Sequence, residues 1–314
     1  LTQTGGSHTV STELWLGVFS GSNRSYGLSG GTNTITDLLS LGVFTGSSGA
    51  YDLSSTGTVS ADREIIGRDG TGVFTQSGGT HTVTNDLSIG QLATGNGTYN
   101  MSGGSLNVGG NLDNAAGTST LNIDGGTVNV TGSIVNGSGA STLNIDGGTV
   151  NTFIIAAGSI GGSSGSVNLS GTGSLSTSYE VIGNSGTGVF TQTGGTNTIT
   201  NEFTIGINSG SSGTYNLSGG TNNVTNDLTI GLFSGSSGTY TISGGTLNVN
   251  GNITDGAGNS TLYNDGGTLN VSGTIDVDTY GIGGSSGSNV SHTYNGGTGI
   301  LPNLTFDSLN VGGA

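Results

Sequence analysis

Between Gly213 and Gly238 the chain reads GTYNLSGGTNNVTNDLTIGLFSGSSG, and the same phrase recurs on either side. The copy starting at Gly188 begins GVFTQTGGTNTITNEFTIG, and the one starting at Gly238 begins GTYTISGGTLNVNGNI. Each copy has an alternating segment, a Gly-Gly corner, a second alternating segment and a Gly/Ser return. A unit this short cannot enclose a core alone. It buries apolar side chains only against a neighbouring copy stacked on it. The fold this implies is all-β, a single-stranded parallel β-solenoid (β-helix) in which each copy is one rung.

The first residue of each Gly-Gly corner falls at 5, 30, 78, 103, 125, 147, 194, 219, 244, 266 and 296, with degenerate corners near Ser55-Thr56 and Gly171-Thr172. The steps are 22 to 25 residues, apart from a last step of 30. About 13 rungs at the ~4.8 Å spacing of paired strands would give a rod roughly 60 Å long. A longer repeat overlies this one. Residues 51–79 align without gaps with residues 167–195, an offset of 116, and match Glu64-Ile65-Ile66-Gly67 to Glu180-Val181-Ile182-Gly183. A block of five rungs has been copied.

Four residues before successive corners stand Tyr26, Tyr51, Phe74, Tyr99, Leu121 and Leu143, and further on Phe190, Tyr215 and Tyr240. Two residues before them stand Leu28, Leu53, Met101, Ile123, Leu169 and Leu217, and after them Ile35, Val83, Val108, Val130, Val224 and Val249. A spacing of two within a rung is strand alternation, and the columns hold register between rungs. No stretch sustains a helical period. Residues 1–287 form one repeat domain. Residues 288–314, with Pro302, diverge as a terminal rung or cap, or as a junction to another subunit or module. Both ends fall mid-repeat, as in a processed product or the ordered part of a longer secreted chain.

Only 30% of the residues are hydrophobic and 7% charged, with 67 Gly among 314 residues. Disorder from such low hydrophobicity normally brings high charge and no apolar period, whereas here the apolar residues are few but regular. The net charge of −15, with three basic residues (Arg24, Arg63, Arg68), argues against nucleic acid and anionic membranes as partners, since both are held through Lys and Arg. No apolar stretch is long enough to insert in a membrane as a helix.

The chemistry-bearing residues are sparse. Arg63 and Arg68 lie beside Asp62, Glu64 and Asp69 and read as an exposed ion-pair patch. Glu64 and Glu180 fall in a column that elsewhere holds Leu or Phe. A lone buried carboxylate is costly, so the expectation is a one-residue register shift that leaves Glu outside and Ile65 or Val181 inside. His8 and His81 occupy a place that other rungs give to Asn33, Asn197 or Asn222, which suggests a polar stack and no metal. Gln3, Gln76 and Gln192 replace an inward Leu and must find partners in adjacent rungs. Asp124 and Asp146 precede corners in adjacent rungs, an arrangement repeated at Asp265, and are weak calcium candidates. Glu13, Asp86, Glu202 and Asp227 form a second, spaced acidic row. Phe19, Phe44 and Phe233 follow a Gly in an aligned GxF and either point outward or fill a corner, the corner being the expectation. No catalytic constellation and no cofactor site emerge.

The phrases GTYNLSGG, GVFTQSGGTHTVTNDLSIG and GTYTISGGTLNVNGNI resemble the repeats of autotransporter passenger domains. They are more similar still to repetitive bacterial surface proteins with autotransporter-type β-strand repeats, many ending in a PEP-CTERM sorting segment. The resemblance covers residues 1–287. It implies a secreted, bacterial cell-surface protein, either a structural or biofilm-matrix component or an adhesin. The expected function is a non-enzymatic rod that self-associates into a fibre, sheath or matrix. The alternative is an adhesin that binds a glycan or cell surface through one face.

Overall fold

The structure, a computed structural model, describes residues 1–283 apart from residue 138, together with the backbone of Ser291–Tyr294 and Leu304–Phe306. Its ordered elements are all strands, wound as a parallel β-solenoid of about 11 turns, close to the rung count read from the repeat. In the rung that begins with Ser212–Val224, the chain bends at Gly219-Gly220, runs on to Leu228–Ile230 and returns through a tight turn. The next rung stacks in register: Gly213 faces Gly238, Tyr215 faces Tyr240, Val224 faces Val249 and Leu228 faces Ile253. Every inward column therefore continues from rung to rung, which is why so few apolar residues suffice.

The two corner glycines have different duties. The second adopts the left-handed backbone that side chains resist, as at Gly220 (φ 76°) and Gly245 (φ 69°). A Cβ on Gly220 would also lie 2.4 Å from the Gly194 carbonyl oxygen in the rung before. At the degenerate corner, Ser55 takes this role with φ 51°, matched by Gly171 (φ 54°) in the copied block. A further glycine column, including Gly213 and Gly238, is required by close stacking: a Cβ on Gly213 would meet the Ile182 oxygen at 2.1 Å.

The interior holds two runs of stacked aromatic rings. Tyr26, Tyr51, Phe74 and Tyr99 stack with centroids 5.1, 5.1 and 4.8 Å apart; Phe190, Tyr215 and Tyr240 stack at 4.5 and 4.6 Å. Leu121, Leu143 and Val167 fill the same column between them. The separation is the one strand pairing imposes, and near-parallel rings at that distance add to the area they bury.

In the divergent tail, Ser291–Tyr294 pairs in parallel with Thr268–Val271, and Leu304–Phe306 with Thr279–Ile282. Pro302 and the side chain of His292 lie outside the described residues.

Candidate functional site

Three titratable groups that could carry chemistry, Glu64, His81 and Glu180, lie inside the rod. Glu64 and Glu180 point inward, contrary to the register shift expected from the cost of burying them. Glu64 faces Leu39 and Leu87, Glu180 faces Ile155 and Phe203, and the strand pairing runs through both positions without a slip. Both carboxylates are fully enclosed, whereas Ile65 and Val181 alternate to the outer side. The irregularity sits earlier, between Ile35 and Leu38 against Ala61 and Arg63. Partners supplied by the neighbouring rungs make the burial tolerable.

For Glu64 the partner is His81, whose Nε2 lies 2.7 Å from Glu64 Oε2, at ion-pair distance though not aligned as a hydrogen bond. The rest of the network fixes the imidazole. Gln76 donates its amide to the carbonyls of Gly79 and Ser105, so its Oε1 must accept; the Tyr99 hydroxyl donates to it at 2.6 Å. Tyr99 has then spent its only proton, and His81 Nδ1, 2.9 Å away, must donate to it. The proton on Nδ1 is thereby assigned from the network. Nε2, the ring's other nitrogen, is the atom that faces the Glu64 carboxylate.

The copied block repeats this at an offset of 116. Gln192 donates to Gly194, Gly195 and Thr221, Tyr215 donates to Gln192 Oε1 at 2.6 Å, and Asn197 takes the place of His81. Asn197 Nδ2 donates to Tyr215 at 3.2 Å and to Glu180 Oε2 at 2.8 Å. An amide cannot supply a charge. Burial therefore pushes the Glu180 carboxyl up to about 8, with the Asn197 hydrogen bond opposing this only in part. Burial likewise raises the phenols of Tyr99, Tyr215 and Tyr240 well above their ordinary value, keeping them hydrogen-bond donors.

A pairing rule follows. Where the aromatic column holds Tyr, the residue two past the preceding corner is polar: His8 before Tyr26, Asn33 before Tyr51, His81 before Tyr99, Asn197 before Tyr215, Asn222 before Tyr240. Where it holds Phe, that residue is apolar: Val59 before Phe74 and Leu175 before Phe190. A buried hydroxyl needs a partner, and a ring without one does not. Tyr280, one rung past Leu269, departs from the rule. The exchange of His and Asn was visible in the sequence; its reason, the phenol one rung on, was missed, although the column of Tyr and Phe carried the signal.

The outer candidates do not converge. Arg63 pairs with Asp37 of the previous rung at 2.7 Å and approaches Asp62 at 3.9 Å, while Glu64 is turned away inside. Asp69 accepts from Thr45 at 2.8 Å and from Thr94 instead, and these hydrogen bonds hold its carboxyl below the usual range. Asp124 and Asp146 lie at consecutive exposed corners, with Ser170 donating to Asp146 at 2.7 Å. Among the described residues no group of three His, Cys, Asp or Glu is placed to hold a metal ion. In the spaced acidic row, Asp86 and Asp227 accept from the backbone N–H groups of Asn111 and Asn252 in the following rungs, at 2.8 and 2.6 Å.

Phe19, Phe44 and Phe233 are exposed (74%, 47% and 54%) and do not pack into a corner as expected. Val43, not Phe44, fills the corner, and Ser47 N–H closes a tight turn onto the Phe44 carbonyl at 3.0 Å, leaving the ring outside. The same closure holds Phe19 and Phe233. Among the described residues no helix is long and apolar enough to cross a membrane. The chain matches no protein-family model, no curated protein and no solved structure.

Proposed function

We propose that the protein is a non-enzymatic structural rod of a bacterial cell surface or extracellular matrix, extended by end-to-end association of copies. The observation that carries this reading is the uninterrupted ladder. Rung follows rung with the inward columns kept in register across small irregularities at the corners, and the turns are tight. The buried carboxylates and imidazole (Glu64, His81, Glu180) are enclosed where no substrate reaches them. The rungs are near copies of one another, so a rung of a second molecule can stack on a terminal one in the register that joins Tyr215 to Tyr240. Electron microscopy of the purified protein tests this. Continuous filaments with a ~4.8 Å axial layer spacing support it, and isolated short rods at every concentration count against it.

The exposure of Phe19 and Phe44 at consecutive turns favours a second reading, an adhesin that binds a glycan or another surface through that edge. A glycan-binding screen with the Phe44→Ser variant separates the two. Loss of binding with intact filaments would assign the edge to adhesion.

A further inference from the structure

The strand that follows each corner sends its first and third residues outward and its second inward. From Ser7-His8-Thr9 to Thr268-Leu269-Asn270, both of these outward positions, the first and the third, are Ser, Thr or Asn in each rung. The register that joins them is unbroken, as in Thr32 to Thr58, Thr127 to Thr149 and Thr246 to Thr268. The other two faces are under the same strand geometry and do not keep this restriction. The strand before the corner carries Asp52, Val73, Val189 and Tyr263 at its outward positions. The short third strand carries Trp15, Ile65, Asp113 and Val135. Strand propensity alone therefore does not account for the uniformity.

We propose that this face binds ice. Its rows repeat at ~4.8 Å along the rod and at about 6.7 Å across it, twice the rise per residue of a strand. Both repeats lie close to those of water oxygens on the side faces of hexagonal ice. The presenting groups are held still. Thr is stiff at χ1, and the amides are clamped in rungs, with Asn129 donating to Asn107 at 3.0 Å and Asn151 to Asn129 at 2.9 Å. Asn248 and Asn270 continue this further along, each donating at 2.8 Å to the amide one rung before. A single such contact is weak, but a rigid array that matches a periodic surface engages many at once, each made easier by the last.

Charge selects the same class of partner. The chain carries a net −15, yet no array position is ionisable, Asp62 and Arg63 standing past its edge, so it complements a neutral surface. Crystalline neutral polysaccharide is the other uncharged lattice available, but it is gripped by aromatic rings, and none stands within the array; the exposed Phe153 lies two residues past Asn151, beyond its edge. The inference is independent of filament formation.

The test measures ice recrystallisation and the shape of a single ice crystal in solutions of the full chain, its Thr149→Lys variant and its Thr142→Lys variant. Thr149 lies in the array; Thr142 is outward on the strand before the corner, in the same part of the rod. The expected result is slowed recrystallisation and faceted crystals with the parent chain and Thr142→Lys, and loss of both with Thr149→Lys at unchanged circular dichroism. Absence of any effect from the parent chain overturns the proposal, as does equal activity of Thr149→Lys. Retention on crystalline chitin or cellulose without an effect on ice also overturns it, in favour of the polysaccharide.

Discussion

The two copies of the five-rung block bury the same network with one substitution. Glu64, Gln76, His81 and Tyr99 in the first become Glu180, Gln192, Asn197 and Tyr215 in the second, each 116 positions on. Backbone register, the Gln–Tyr hydrogen bond and the corner carbonyls that fix Gln are shared. Only the means of neutralising the carboxylate differs. Beside His81 it is matched by a group that can carry the opposite charge; beside Asn197 it is held neutral by a proton. One fold thus tolerates a buried carboxylate in two ways, and the second ties stability to pH.

Removing the partner in the first copy is the severest test of that contrast. His81→Leu leaves Glu64 buried and unpaired and is expected to cost about 3–5 kcal/mol at neutral pH. The measurement is denaturant unfolding, with hydrogen exchange across residues 58–108 to locate the loss. A cost below about 1 kcal/mol would mean that Glu64 is not held inside.

The second copy makes a pH prediction whose sign is fixed. The Glu180 carboxyl titrates at about 8 when folded, against an ordinary value of 4.5, so the folded state holds the proton more tightly. Its contribution is complete below pH 4.5 and is lost as pH rises through about 8, at a little over 1 kcal/mol per pH unit within that window and a few kcal/mol in all. Glu180→Gln should flatten this slope. Asn197→His, which sets an imidazole beside Glu180 as in the first copy, should weaken it. A stability profile unchanged by these exchanges would break the comparison.

A smaller effect tests the pairing of phenol and polar residue. Asn222 donates to the Tyr240 hydroxyl at 3.0 Å, with no Gln involved. Tyr240→Phe alone should cost about 1–3 kcal/mol by orphaning the amide. Tyr240→Phe with Asn222→Leu reproduces the Phe190–Leu175 arrangement found elsewhere in the column and should be nearly neutral. Additive losses in the double variant would refute the rule. The smallest effect belongs to the degenerate corners. Ser55 holds a left-handed backbone where the copied block has Gly171, so Ser55→Gly should stabilise by up to about 1 kcal/mol, seen as a raised unfolding midpoint.

The architecture was legible in the sequence because solenoid columns are periodic: Tyr215 over Tyr240 and Val224 over Val249 can be paired by counting. The interior chemistry was only half legible. Gln76 and Gln192 announced that they needed partners, and they have them in the next rung. Glu64 and Glu180 misled, because the cost of a lone buried charge was counted without the residues one rung on. His81 lies 17 positions past Glu64, and Asn197 equally far past Glu180; neither is a neighbour until the chain has wound. The Phe19, Phe44 and Phe233 rings misled for a different reason. Apolar character says that a side chain can be buried, but the turn hydrogen bond decides which residue of the Gly-x-Phe step enters the corner.

The chain's glutamates are Glu13, Glu64, Glu180 and Glu202, few enough to follow singly. Carbon-13 NMR of glutamate-labelled protein, titrated from pH 3 to 10 with Glu180→Gln as the assignment control, would test most directly that the rod encloses its carboxylates. Glu180 should change protonation near pH 8, far from the ordinary 4.5. A Glu180 signal titrating close to 4.5 would place the carboxylate in solvent and contradict the inward register on which the comparison rests.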